Sequence, residues 1–505
     1  MPPPEPMSDA PPRKRVVIAG GGTAGWLAAT ALAVHLGSLI DLTLVESDEI
    51  GIVGVGESTI PTTRAFHGFV GIDEAAFMRA TNATFKLGIS FEDWDRVGDV
   101  YFHPFGSVGR SVMIADFQHF WLEARRRGLA GAYTDYSLET AAANAKRFAL
   151  GGERPLAFAY HLDATTYARF LRSHAEPAGA RRVEGRIERV ETDGATGDIA
   201  ALVLASGERV EGDLFIDCTG FRALLSGDAL GSPFDDWSEW LQTDSALAVQ
   251  TEGVGPPVPY TRAITHGAGW RWRIPLQHRV GNGLVFASAF MDEDRARATL
   301  LDALDGTPLF EPRLIRYRTG MRREAWSRNC IALGLAAGFI EPLESTSIHL
   351  VMSAVTRLIQ AFPFGEHEDA LRDRFNTQAR DEWEHVRDFI ILHYALTRRD
   401  DTPFWRRCAT MALPATLATR IAMFRESALA YQGQEELFRV DSWVSVMLGQ
   451  GIVPRSHHRI ANLLPHEAMH TAFRDLGDGI AAAVNTMPMH GAVLATLGHQ
   501  AVRTA

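Results

Sequence analysis

Residues 16–46 confine the start of this chain to one supersecondary unit. Val16–Ala19 is a short apolar run that reads as a buried strand, and Gly20-Gly21-Gly22-Thr23-Ala24-Gly25 follows it at once. Leu27, Ala31 and Leu32 then recur at helical spacing within a helix expected over Ala24–Leu36, and Leu42–Val45 supplies a second strand. A strand, a turn of glycines and a helix start make an anion site: the glycines allow the turn, and free amides at the helix start face a pyrophosphate. Glu46 ends the second strand about twenty residues further on, where a carboxylate can accept from a ribose hydroxyl. Gly20, Gly22, Thr23, Ala24, Gly25 and Glu46 are therefore the candidate dinucleotide contacts.

Two later segments favour FAD over NAD. Asp213–Phe221 (DLFIDCTGF) reads as a second strand-to-glycine turn, and Asn329–Gly338 (NCIALGLAAG) as a third nucleotide-proximal segment, with Leu335 where an acid often stands. No second G-x-G-x-x-G carries its own strand, helix and acid, so a separate nicotinamide site is not expected. The fold class expected is α/β: a Rossmann-like FAD-binding domain of the flavin monooxygenase type, an added sheet region and a mostly helical C-terminal lobe.

The boundaries follow from composition and pattern. Residues 1–12 are Pro-rich and read as a disordered tail, counted to residue 14. Residues 15–363 form the FAD-binding unit and 364–505 the helical lobe that completes the substrate pocket. Within the first unit, Gly51–Pro61 (GIVGVGESTIP) reads as a mobile loop, 164–177 as a helix, and 182–217 as short strands. Ile348, Val351, Met352, Val355, Ile359 and Phe362 form a helical stripe stopped by Pro363.

Charge and cysteines exclude several classes. A net charge of −11 with no long basic run gives no case for nucleic acid. Arg13-Lys14-Arg15 before an apolar stretch resembles a leader, but four glycines between Val16 and Val34 argue for strand, turn and helix instead. No segment is apolar enough to span a membrane, and Cys218, Cys330 and Cys408 lack metal spacing. A soluble cytoplasmic protein without a metal, monomeric or homodimeric, is expected.

Gly269–Pro275 (GWRWRIP) adds the element closest to function. Trp270 and Trp272 lie two apart, so on a strand their indoles share a face, and Pro275 ends the run by removing a ladder donor. Beside a flavin, such a wall decides what can reach the ring. A core strand with two buried aromatics is the alternative.

Taken together, Gly20–Trp26 (GGGTAGW), Thr84–Trp94 (TFKLGISFEDW), His103–Gly106 (HPFG), Gly269–Pro275, Gly338–Leu350 (GFIEPLESTSIHL) and Asp401–Arg406 (DTPFWR) resemble the flavin-dependent tryptophan halogenases. The resemblance runs from about residue 15 into the 440s. It implies that FADH2 from a separate flavin reductase, oxygen and halide give hypohalous acid, which travels inside the protein to a lysine beside a small aromatic substrate. The matching lysine is Lys86. As an ammonium it would polarise HOX by hydrogen bonding, and as a neutral amine it would form a haloamine; burial leaves both open.

The resemblance also implies the other roles. Glu344 would stabilise the cationic arenium ion and take its proton, and Ser345 would bond Lys86 or help relay the proton. Glu341, three residues away, receives a structural role. Thr346 and Ser347 would bind halide through free backbone N–H groups at a helix start, and Ile348, with Val190 and Leu335, would contact the flavin. His103 and Phe105, with Trp270 and Trp272, would line the substrate pocket.

The chain departs from tryptophan-specific members at two places. Ser347 replaces a usual glycine, which points to bromide. Residues 430–438 (AYQGQEELF) hold one tyrosine where a pair clamps the amino-acid moiety of tryptophan. Indole, a substituted indole or a larger aromatic is therefore the expected substrate. A flavin-dependent aromatic hydroxylase and a non-catalytic indole-binding flavoprotein are the rival readings.

Overall fold

The computed structural model describes residues 13–49, 57–111, 114–365 and 368–499. The Pro-rich segment 1–12 and most of the glycine-rich stretch at 51–56 lie outside the described residues. Lys14, counted with the tail above, opens the first strand, and Glu57–Ser58 is a short strand rather than loop, paired with Ala159–Leu162.

Lys14–Ala19, Ile40–Glu46, Leu214–Asp217, Cys330–Ala332 and Arg181–Glu184 form a parallel sheet, extended at one edge by antiparallel Trp326–Ser327. Its central strands are buried on both faces, which is why Val16–Ala19 reads as a continuous apolar run. Side chains alternate between two cores. Val16, Ile18, Leu42 and Leu44 face the helices Thr23–Leu36, Ala164–Ala175 and Ser347–Gln360. Val17, Ala19 and Val45 face a three-stranded antiparallel sheet made of Ile187–Thr192, Ile199–Leu204 and Arg209–Glu211.

The turn after the first strand needs its glycines. Gly20 has φ +106°, and a Cβ there would fall 2.3 Å from the Cys218 carbonyl oxygen. One on Gly25 would fall 1.9 Å from the Gly20 oxygen, so strand and helix meet backbone to backbone.

A seven-stranded, largely antiparallel sheet stands beside this unit, in the order Arg313–Arg316, Ser245–Glu252, Arg279–Phe286, Gly269–Pro275, Thr261–His266, Gly88–Glu92, Val100–Pro104. The Trp-x-Trp strand is internal, paired on both sides. Trp270, Trp272 and Ile274 are buried on one face while Arg271 and Arg273 are half-buried on the other. The two indole centroids lie 6.1 Å apart, so the period-two expectation holds.

Helices dominate after residue 368. Asp369–Ala395 spans 27 residues, about 40 Å at 1.5 Å per residue, and its second half is buried. Trp383, Phe389 and Leu392 share one core with Phe91, Trp94, Trp270 and Trp405, so the long helix closes over the Trp-strand sheet. Ser347–Gln360 carries the expected stripe and stops at Gln360, because the residue before Pro363 is pushed out of helical conformation. Among the described residues no group of three His, Cys, Asp or Glu could hold a metal, and no helix is long and apolar enough to cross a membrane.

Candidate active site

Lys86 ends the short strand Thr84–Lys86 and is wholly buried. Its strand is tied in from several sides. Thr84 Oγ1 donates to the Pro275 carbonyl at 2.7 Å, Leu87 N donates to Pro259 O at 2.8 Å, and Leu87 O accepts from Phe105 N at 3.0 Å. The ammonium donates to Ser345 Oγ at 2.9 Å and Thr59 O at 3.1 Å, and stands 4.8 Å from the centroid of the Phe105 ring. No carboxylate pairs with it among the described residues. Burial pulls its pKa down to about 7, with the Glu344 charge opposing. At neutral pH both protonation states are therefore accessible.

Ser345 reaches Lys86 because its backbone is left-handed, with φ +61°. A non-glycine residue held there stores strain, of a kind that gathers at functional sites. The preceding turn, Pro342–Glu344, delivers Glu344 into the same interior. His103 Nδ1 lies 3.0 Å from both Glu344 oxygens, and His393 Nε2 lies 2.9 Å from Oε1. Burial alone would raise the Glu344 pKa, but the His103 charge and the two imidazole hydrogen bonds win and hold it at about 2. His103 thus contacts the carboxylate directly, beyond the stacking role expected from sequence.

Glu341, three residues earlier, is equally buried but differently partnered. Trp270 Nε1 donates to Oε1 at 3.0 Å and Tyr394 Oη to the same oxygen at 2.6 Å, while Thr243 Oγ1 donates to Oε2 at 2.5 Å. Burial raises its pKa, only partly offset by these three donors. Trp270 is therefore pinned to Glu341, whereas the far end of its strand, at Pro275, is bonded to the lysine strand. Trp272 lies between them, its ring packed on Gly283, where a Cβ would fall 2.0 Å from it, and its buried Nε1 has no partner among the described residues.

Thr346 immediately precedes the helix Ser347–Gln360, and its side chain makes no capping bond. Its hydroxyl is buried and has no partner among the described residues, so this helix start has an unused donor beside its free amides. Ile348 is buried two residues on; Leu335 lies exposed in the turn Gly334–Ala336, whose Gly334 meets Ala24 of the helix Thr23–Leu36. Val190 sits in the three-stranded sheet, opposite Leu202.

At the nucleotide turn, open space surrounds Gly22, and a Cβ on Gly21 would collide with Glu46 Oε2 at 1.6 Å. Glu46 thus lies directly against the turn. It also accepts from Arg182 Nε at 2.6 Å and Trp26 Nε1 at 3.3 Å, partners the sequence did not indicate. The cradle that a Cβ would fill, the helix start and the adjacent acid fit FAD.

Around 431–438, the acid Glu436 is bound to Arg420 at 2.6 Å, and Arg420 also stacks on Tyr431 at 4.0 Å. One oxygen of this buried acid, Oε1, is thus paired from within the loop's own surroundings, while Oε2 has no partner among the described residues. A cleft of ≈ 520 Å³ opens beside it, rimmed by Gln434 and Glu435 and reaching Thr62 and His349. Those two residues are three and four positions from Lys86's two hydrogen-bond acceptors, Thr59 and Ser345.

Sequence reading missed His393, Tyr101, Gln450, Thr59, Thr243 and Tyr394. A histidine inside the apolar run Phe389–Tyr394 was the one available signal for His393.

Comparison with known proteins identifies the family. The tryptophan halogenase family profile matches residues 15–466. A tryptophan 7-halogenase of Lentzea aerocolonigenes is 36% identical, covering 87% of this chain and 90% of its own. A flavin-dependent halogenase structure from Xanthomonas campestris is 52% identical with a TM-score of 0.94, covering 96% and 98% of the two chains. One from a Brevundimonas species is 44% identical with a TM-score of 0.92, covering 97% and 100%. By sequence and by fold, the chain belongs to the tryptophan halogenase family of flavin-dependent enzymes.

Proposed function

We propose that this flavin-dependent halogenase holds an indole-type arene between Lys86 and Glu344 and halogenates it with hypohalous acid. The observation that carries this reading is the buried constellation itself. An ammonium tuned to titrate near neutrality and a carboxylate held ionised are joined through consecutive residues, Glu344 and Ser345.

Reduced FAD, supplied by a separate reductase, provides with oxygen the oxidising power that turns halide into HOX. Gly20, Gly22, Thr23, Ala24 and Gly25 would hold its pyrophosphate and Glu46 its ribose, with Ile348 at the ring and Val190 and Leu335 as further cofactor contacts. The amides of Thr346 and Ser347 and the free Thr346 hydroxyl would hold the halide.

Lys86 then donates a hydrogen bond to the oxygen of HOX. The aromatic carbon attacks the halogen, the O–X bond breaks, and the Lys86 proton converts the departing hydroxide to water. Glu344 stabilises the resulting cationic ring and takes the proton from the substituted carbon, restoring aromaticity. His103 and Phe105 would flank the arene. Trp270 and Trp272 would keep it from the flavin, a reading supported by the strand's double anchorage to Glu341 and Thr84.

The substrate is an indole or a larger arene rather than free tryptophan, because residues 430–438 hold one tyrosine and no pair, and Glu436 already pairs with Arg420 through Oε1. A zwitterion left poorly paired in that pocket would cost several kcal/mol, on the order of 2–5. Ser347 points to bromide. We place the enzyme in the cytoplasm, as a monomer or homodimer.

The test supplies FAD, a flavin reductase, NADH and oxygen with bromide or chloride over an arene panel, read by mass. A halide isotope pattern on an indole-type product is expected. A hydroxylated product formed equally without halide would overturn the reading in favour of the hydroxylase. Fast, clean halogenation of free tryptophan would overturn the substrate assignment alone.

A further inference from the structure

The carboxylate of Glu344 stands at the end of a hydrogen-bond chain that begins at Gln450, just past the helix Val440–Gly449. Gln450 Nε2 donates to the His393 carbonyl at 2.8 Å and to Tyr101 Oη at 3.3 Å. The first bond orients the amide, since a backbone carbonyl only accepts. With the second amide hydrogen on its oxygen, Tyr101 must send its own hydrogen elsewhere. The acceptor in reach is His393 Nδ1, at 2.8 Å. An imidazole that accepts at Nδ1 carries its hydrogen on Nε2, and Nε2 faces Glu344 Oε1 at 2.9 Å.

The rings are held in this register by packing. Phe91 stacks on Tyr101 at 4.9 Å and on His393 at 4.5 Å, and the Tyr101 and His393 planes differ by 13°. Gly449 lies against the Tyr101 ring, where a Cβ would come within 2.5 Å.

We propose that the two histidines on Glu344 are not equivalent: His393 is a positioning residue, locked by Tyr101 and Gln450 as a neutral Nε2–H donor that orients the general base. This rests on the reading of Glu344 as that base. A cationic His393 would strand the Tyr101 hydrogen in the core, and burial pushes His393 towards its neutral form and the Tyr101 hydroxyl towards staying protonated. The lock joins the C-terminal helices to the chemistry. The groups facing His393 are Glu344, His103 and Tyr101, with Asp95 acting on Tyr101 at longer range.

The decisive pair is His393→Gln and His393→Asn in the full-length enzyme. Glutamine places its amide N–H where Nε2–H was, and asparagine places its amide on the Tyr101 side. H393Q should keep kcat within about 3-fold, and H393N should lose about 30-fold or more, the size expected for a hydrogen bond to a charged group.

Tyr101→Phe removes the donor to Nδ1, lets that nitrogen take a proton, and should move the acidic limb of kcat up by about one pH unit. Histidine 15N spectra of the resting protein, assigned with H393Q, should show one histidine in the Nε2–H form that becomes pH-sensitive only in Y101F. Equal kcat for H393Q and H393N, an unmoved acidic limb in Y101F, or an Nδ1–H or cationic His393 at neutral pH would overturn the inference. Full activity of Glu344→Gln would instead overturn the assignment of the base, which keeps the two failures distinct.

Discussion

Glu341 and Glu344 are the same residue, three positions apart and both buried, yet their environments drive them in opposite directions. Glu341 meets only neutral donors, Trp270, Tyr394 and Thr243, and burial raises its pKa. Glu344 meets two imidazoles and is held at about 2. Burial penalises the charge at both; a charged partner reverses the outcome at one. A neutralising carboxyl can anchor a wall, whereas one held ionised can serve as a base and an electrostatic support.

The comparison breaks first at Glu344. Glu344→Gln should lower kcat by about 10²–10⁴-fold, the usual worth of general-base catalysis, while FAD binding, followed by flavin fluorescence, persists. Glu341→Gln should leave kcat within several-fold. Equal losses at both positions would erase the distinction.

Lys86→Ala should cost a comparable factor, and pH gives the sharper reading. With a pKa of about 7, the ammonium disappears as pH rises through neutrality, while Glu344 is ionised throughout that range. Single-turnover halogenation that needs the ammonium therefore declines above pH 7; a rate that climbs instead would assign the neutral amine and a haloamine. Stability offers an independent check. The unfolded chain binds the Lys86 proton up to its ordinary 10.5, so stability rises between about pH 7 and 10.5. Lys86→Met should flatten that rise in chemical denaturation.

Ser345→Ala removes one hydrogen bond to the lysine and should cost about 10-fold in kcat, the worth of a bond to a charged group. Glu341→Leu strands the Trp270, Tyr394 and Thr243 donors and should lower stability by about 1–3 kcal/mol for each one left unpaired, read by denaturant midpoint. The smallest effect is expected from Ser347→Gly, which should shift the bromide-to-chloride product ratio by a few-fold, because the contact is to backbone. No shift would remove Ser347 from halide choice.

What could be read along the chain had local causes. The strand, glycine turn and helix at 14–36, the shared face of Trp270 and Trp272, and the stripe after Ser347 follow from periodicity and sterics within a few residues. The difference between the two glutamates was legible only through family resemblance, and its physical basis was not legible at all. Trp270 reads as a wall residue, but its anchorage to Glu341 spans 71 positions. His103 reads as an aromatic-pocket residue, yet it meets Glu344 across 241. Gln450, polar at a helix end, looks like a surface residue until it is found buried against His393.

The sequence by itself determined the nucleotide-binding unit, the Trp strand and the order of the motifs, because backbone preference and apolar period act on neighbours. Only the tertiary structure decided which glutamate is charged, how far Lys86 is tuned, and which tautomer His393 presents. Those properties depend on burial and on partners brought from distant segments. An electrostatic environment is a property of the closed core, and no local stretch contains it.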